Sequence, residues 1–296
     1  MRFLSLCVLA LLGMPVAGAA DVDEKQLQVI APFPEGSKPL NLLARRAKSL
    51  RRASGRHLDL RFVASKPEAA MSVLQRLRSD SSLSAGLVSG FEYANLVPDA
   101  NLYSQAFAFD NAQQVDFVRS QLDAVLLENL QHEEFVALGI SGVGFAYLMS
   151  QDPIVQGFAS NFDIDEPGFS RHSTLEFILD KNMPRPAYLL RPPMHYGYLL
   201  FVVKRAAWQS LSSADQALLW AHIQSLLEDL EKRARKAGER ATKVLLKGDI
   251  QSDTLSDADL AVMRHSGTCD DISPALQSGF RGMLEDYRRT LSESKP

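Results

Sequence analysis

Cysteine is almost missing from this chain: its 296 residues hold two, Cys7 and Cys269. A disulfide framework is therefore excluded as the source of stability, and the fold must rest on a buried core. Cys269 reads as a quiet buried thiol. Histidine is also sparse. The six are scattered and form no His-Glu-x-x-His pair, so no metal site is legible from spacing and none is expected. No cationic excess exists, with 32 Lys and Arg against 35 Asp and Glu, which argues against a nucleic-acid binder. Beyond the N-terminus, no apolar run approaches the ~20 residues of a spanning helix. Catalytic signatures are lacking too. Gly139-Ile140-Ser141-Gly142 has the wrong spacing for a nucleophile elbow, and Gly142-Val143-Gly144 is too brief for a nucleotide fingerprint. No catalytic residue and no cofactor is expected, and a hydrolase or dehydrogenase is disfavoured.

What is present begins with a leader. Met1-Arg2 is a cationic start, Phe3 to Leu12 is a short apolar run, and Ala17-Gly18-Ala19-Ala20 supplies small residues before acidic Asp21-Val22-Asp23-Glu24. That order is a cleavable secretory signal over residues 1–20, which sends the mature chain to the periplasm. Leu6 is too large, and Cys7 too early, for a lipid-attachment site. An uncleaved N-terminal anchor is the alternative.

The mature chain opens with strands alternating with helices. Leu27 to Ala31 reads as a buried strand, and the Pro32 to Ser37 loop leads to an amphipathic helix over Leu40 to Ala53. Strands over Leu58 to Val63 and Leu83 to Ser89 bracket a helix over Pro67 to Ser79. This β-α-β-α-β order implies a parallel sheet flanked by helices. A helix over Asn111 to Asn129 precedes a strand at Phe135 to Ile140 and extended chain to Met149. Residues 151–193 carry six prolines and read as loops around one helical piece, Ser173 to Asp180. Tyr198 to Val203 is a buried strand, and Ala206 to Leu211 a short helix. From Ser212 to Leu246 the pattern predicts one helix of about 50 Å. Two more helices follow, one after Leu255 and one over Pro274 to Ser292.

Four blocks in this order resemble the TRAP (tripartite ATP-independent periplasmic) solute-binding proteins. They are Leu83 to Gly90 with Leu96-Val97-Pro98-Asp99-Ala100, Phe107 to Ala112, Phe135 to Ser150, and Tyr198 to Leu218 before a long helix. The resemblance covers about two-thirds of the mature chain. It implies an α/β, type II-like periplasmic binding protein of two lobes, with the second lobe truncated and a long helix toward the C-terminus. It divides the chain into the leader 1–20, a ligand-binding lobe 21–150, a reduced second lobe or linker 151–193, and 194–296. The last stretch would be a return strand, the long helix and C-terminal helices packing on the first lobe. It implies a small organic acid, or a more apolar ligand, held between lobes and delivered to an integral-membrane permease, with no nucleic acid involved. Two cations of the family pattern are missing. Ala146 stands where the pattern has one arginine, and no counterpart of the second arginine-bearing strand lies between Met149 and Met194.

A buried carboxylate needs a cation or several donors. Arg171, Arg185 and Arg191 are the candidates in the reduced lobe, with an ordinary surface role as the alternative for each. Phe33, Glu35, Ser37, Ser89, Phe91, Glu92 and Tyr93 lie in loops after strands, where open α/β sheets bind ligands. Phe107, Phe109, Phe145, Tyr147, Tyr196 and Tyr198 are candidates for an aromatic lining, with core packing as the alternative. The resemblance puts His195 and Tyr196 at a hinge-side ligand position, with a satisfied structural histidine as the alternative for His195. A cleft is expected between Ser89–Tyr93 and Tyr196–Tyr198. A filled space there favours a different reading, a relic of the fold acting as a structural or interaction protein.

Overall fold

The computed structural model describes residues 24–65, 71–152, 169–173, 186–266 and 271–293. The leader, Arg185, Cys269 and nearly all of the helix expected over 173–180 lie outside them. The described strands form one sheet that runs, in spatial order, through residues 58–64, 25–31, 85–89, 195–204, 135–150, 188–191 and 251–254, with 169–173 on the far part of the 135–150 strand.

Strands β1 (Lys25–Ala31), β2 (Leu58–Ala64) and β3 (Ala85–Ser89) are parallel, as the β-α-β-α-β order requires. Helix α1 (Lys38–Ala53) starts at Ser37, whose hydroxyl accepts from the Leu40 amide at 3.4 Å, and buries Leu42, Leu43, Ala47 and Leu50. Helix α2 (Val73–Ser79) opens on a reciprocal cap between Ser72 and Gln75. Next come the single-turn helix α3 (Gly90–Tyr93), a 3-10 segment (Pro98–Ser104) and α4 (Ala112–Asn129).

From β4 (Phe135–Ser150) onward the sheet is mixed. β7 (His195–Lys204) inserts antiparallel between β3 and β4. The short α5 (Arg205–Gln209) leads into α6 (Ser213–Leu246), a helix of 34 residues. Its first turn is fixed three ways. The Asp215 amide donates to Ser212 Oγ at 3.1 Å, that hydroxyl donates to Asp215 Oδ2 at 2.8 Å, and His57 Nε2 meets Asp215 Oδ1 at 2.6 Å.

The first half of the sheet is covered on both faces. α1 and the first five turns of α6 bury Leu219, Ile223, Leu226, Leu227 and Leu230 on one. On the other lie α2, the 3-10 segment, α4 and the last helix, α8 (Pro274–Glu293). Tyr103, Tyr198, Phe109 and Phe280 meet there with ring centres 5.5–6.2 Å apart, edge to face for Tyr103–Tyr198 and Phe109–Phe280 and tilted for Tyr103 on Phe109 and Phe280.

The second half departs from the sequence expectation. Residues 151–193 contribute strands β5 (Phe169–Ser173) and β6 (Tyr188–Arg191); Ser173 belongs to β5, and the rest of the helix expected over 173–180 lies outside the described residues. Residues 194–296 do not pack on the first half alone. β8 (Gln251–Thr254) runs parallel to β6, and α7 (Asp257–Ser266) packs Leu260 and Met263 against Leu148 and Leu190. This half is thus assembled from stretches on either side of β7. Short strands between prolines carry too little periodicity to be seen in sequence.

Candidate functional site

Two strands and one helix connect the halves. β4 pairs with β7 through Ala146, and its last five residues then pair with β5 and its last two with β6. The register shifts twice, between Ala137 and Gly139 and between Gly142 and Gly144. Gly144 adopts φ +109, which a side chain would strain, and its partner across the ladder is Gly197. A Cβ at Gly142 would fall on the Tyr196 hydroxyl. The far end of α6 reaches the second half, where Leu245 packs with Met149 and Leu189.

At this joint sits a buried ion network. The Arg119 guanidinium, on α4, donates to both oxygens of Glu231 at 2.7 and 2.8 Å, to Asp123 Oδ2 at 2.9 Å and to the Tyr196 hydroxyl at 3.1 Å. Glu231 Oε2 also accepts from the Gly142 amide at 3.0 Å, at the bulge. Burial works against the Arg119 charge, but Tyr196, Asp123 and Glu231 outweigh it and hold the guanidinium firmly protonated. Burial likewise pushes Glu231 up, and Arg119 more than reverses this, leaving the carboxyl below its ordinary value. Sequence reading missed this group. Arg119 and Asp123 are four apart on a helix and look like a surface pair, while Glu231 is 112 residues away.

A cleft of about 310 Å³ opens at the carboxyl ends of β6 and β8, lined by Asp110, Tyr147, Arg191, Pro192, Pro193, Thr254 and Leu260. That volume is at the lower end of small-molecule sites, about 300–1,000 Å³. Asp110 comes from the first half and is claimed by two arginines, Arg264 at 2.5 Å and Arg288 at 3.3 Å. Arg191 makes no ion pair among the described residues. Burial raises the Tyr147 phenol above its ordinary value, against a lowering by Arg191 and Thr242. The charged residues of the lining are thus Arg191 and an Asp110 that Arg264 and Arg288 already engage.

Of the candidates, Tyr147 and Arg191 come together at this cleft. Arg171, on β5, pairs its backbone with Leu148 of β4. His195 opens β7 and is half-buried. The rest do not gather there. Phe33 packs on the α1 side of the sheet, Glu35 is exposed, and Ser37 and Ser89 cap helices. Phe91 is 63% exposed. Tyr93 is buried and donates to the Leu130 carbonyl at 3.0 Å. Phe107 is buried at φ +53, its amide on the Met194 carbonyl and its own carbonyl held by Arg264. Phe145 and Phe109 meet the Tyr196 ring edge to face, with centres 5.4 and 5.9 Å away. The cleft expected between Ser89–Tyr93 and Tyr196–Tyr198 is filled: the Tyr198 ring lies on Gly90, and its hydroxyl donates to the Ala100 carbonyl. Glu92 is half-buried. Burial raises its pKa against lowering by the Leu74 and Val73 amides, and its Oε2 has no hydrogen-bond partner among the described residues.

Neither a family model nor a curated protein sequence matches the chain. Solved structures do. A TRAP periplasmic solute-binding protein from Ochrobactrum anthropi, with a C-terminus bound in its ligand pocket, superposes with a TM-score of 0.74 at 12% identity, over 91% of this chain and 98% of that one. This chain has the TRAP solute-binding protein fold. The sugar acid binding protein of Advenella mimigardefordensis, solved with galactonate, gives 0.70 at 15% identity over 90% and 99%. A TRAP protein from Fusobacterium nucleatum, solved with sn-glycerol-3-phosphate, gives 0.71 at 13% over 90% and 99%. At 91% of this chain, the likeness is not confined to one half of the sheet. Among the described residues no helix is long and apolar enough to cross a membrane.

Proposed function

We propose that this protein is the periplasmic solute-binding subunit of a TRAP-type transporter, that it captures a small organic acid where the two halves meet, and that it hands it to a membrane permease without chemical change. The observation that carries this reading is the joint. Two sheet halves share β4 and α6 across a twice-bulged strand with glycines facing each other at Gly144 and Gly197. Such a joint lets halves rotate with little change in packing. In this reading the leader 1–20 is removed on export. Lobe one is the β2-β1-β3-β7 half, and the second lobe includes β5 and β6 together with β8 and α7.

Arg191 is the residue that receives the acid. Asp110 is already neutralised by Arg264 and Arg288, so a ligand carboxylate is the natural partner for the remaining cation in the cleft. Tyr147, Pro192 and Leu260 supply apolar walls, which suits a monoacid better than a dicarboxylate.

Titration calorimetry with monocarboxylates, sugar acids, glycerol phosphates and fatty acids tests this. One class is expected to bind, and Arg191→Ala to weaken it about ten- to a hundredfold, the worth of a charged hydrogen bond. Binding undiminished in Arg191→Ala removes Arg191 from the site. One feature favours a second reading, a non-binding relic acting as an interaction protein: Tyr198 fills the gap beside Gly90. Absence of heat with every class supports that alternative.

A further inference from the structure

Helix α1 carries Lys38, Arg45, Arg46, Lys48, Arg51 and Arg52 and no acid. At 3.6 residues per turn, the buried Leu42, Leu43, Ala47 and Leu50 occupy one side, and Lys38, Arg45, Lys48 and Arg52 fall on the opposite side. All four are exposed and make no ion pair among the described residues. The two cations on the flanks are drawn away from that stripe, Arg46 by Asp229 and Arg51 by Glu24. Exposed Arg56 extends it past the helix end. The stripe from Lys38 to Arg52 is about 21 Å long at 1.5 Å per residue. From Lys38 to Arg61 the only acid is Asp59, so this face is strongly basic on a chain of net charge −3.

We propose that the outer face of α1 docks on a bilayer surface carrying anionic phospholipid headgroups. The stripe has no apolar centre, since none of the large exposed hydrophobic side chains lies between residues 38 and 61. A protein partner is recognised through packed anchors at the middle of an interface. Attraction to a charged bilayer is a sum over long, mobile cationic side chains and needs no anchor. Protection of the sheet edge does not account for the stripe. Edge β2 carries its own gatekeeper, Arg61, which pairs with Asp59 at 3.2 Å. The chain also enters the fold at this face, because Glu24, which precedes β1, is the partner of Arg51.

Vesicle sedimentation of the mature protein tests this. Binding is expected to vesicles of phosphatidylcholine with about one-third phosphatidylglycerol, to be absent from pure phosphatidylcholine, and to vanish at about 0.5 M salt. The variant R45Q/K48Q/R52Q is expected to lose about a hundredfold in partition, roughly fivefold per cation. Glutamine is a good helix former, so the variant keeps its fold, and an unchanged melting temperature verifies that. The control K232Q/R233Q/K236Q removes three exposed cations of α6 and is expected to bind like the parent. The proposal is overturned if the parent ignores anionic vesicles, if the α1 variant binds as well as the parent, or if the α6 control loses as much. It is overturned equally if the stripe proves necessary only for binding an acidic protein. Acid binding by calorimetry is expected to be the same in the α1 variant, so failure here is separate from failure of the transport reading.

Discussion

Replacing Arg119 with Met keeps much of the side-chain volume and removes the charge that ties α4, β7 and α6 together. The side chain of Arg119 is 10% exposed and that of Glu231 is 19% exposed. Removing one member of a buried pair costs about 3–5 kcal/mol, because the other is left uncompensated. Here the lower figure applies. Arg235 still approaches Glu231 at 3.4 Å, and the Tyr103 hydroxyl still donates to Asp123 at 2.8 Å. The expected loss is about 3 kcal/mol, or about 6–12 °C in melting temperature for a chain of this size. Urea unfolding of Arg119→Met, Glu231→Gln and the double variant measures it. The double variant is expected to recover at least about 1 kcal/mol relative to the sum of the singles. A pH series adds a sign. Glu231 is held below its ordinary value of 4.5. Its contribution is therefore full above pH 4.5 and is lost as pH falls through the lower folded value. Glu231→Gln should flatten that acid limb. A loss under about 1 kcal/mol for Arg119→Met, with additive singles, would refute the reasoning.

Glu92→Gln is expected to raise the melting temperature at pH 7 and to change little at pH 4. The carboxyl titrates above its ordinary value of 4.5, so its ionisation destabilises the fold as pH rises past that point. Gly142→Ala is expected to cost about 1–3 kcal/mol by overpacking, since its Cβ would collide with the Tyr196 hydroxyl. Phe280→Ala, in the aromatic cluster under α8, is expected to cost about 3–5 kcal/mol in the same unfolding assay.

The sequence displayed the elements whose periodicity is long or strict. Leu219, Ile223, Leu226 and Leu230 marked the first half of α6, the lack of proline up to Leu246 marked its continuation, and the first parallel strands were bounded by loops and caps. β4 was harder, because Gly139, Gly142 and Gly144 look like breaks although the strand runs through them with two bulges. β5, β6 and β8 hold four or five residues each and take their stability from pairing partners far away in sequence. The aromatic residues were legible as a group, but their fate was not. Tyr196 and Tyr198 sit in β7 like any strand residues, and it is side chains from other elements, Phe109 and Phe145 on Tyr196 and Tyr103 on Tyr198, that show them packed. Of the cleft, Tyr147 and Arg191 were visible as types. Asp110 entered through chain crossings that no local pattern encodes.

The distance between the two halves, followed during addition of ligand, tests the transport account most directly. Spin labels at Gln121→Cys on α4 and Ala261→Cys on α7, in a Cys269→Ser background, report it. The expected result is a distance distribution that shortens and saturates with one class of organic acid. A distribution that stays fixed through every acid, with no heat of binding, would contradict the account.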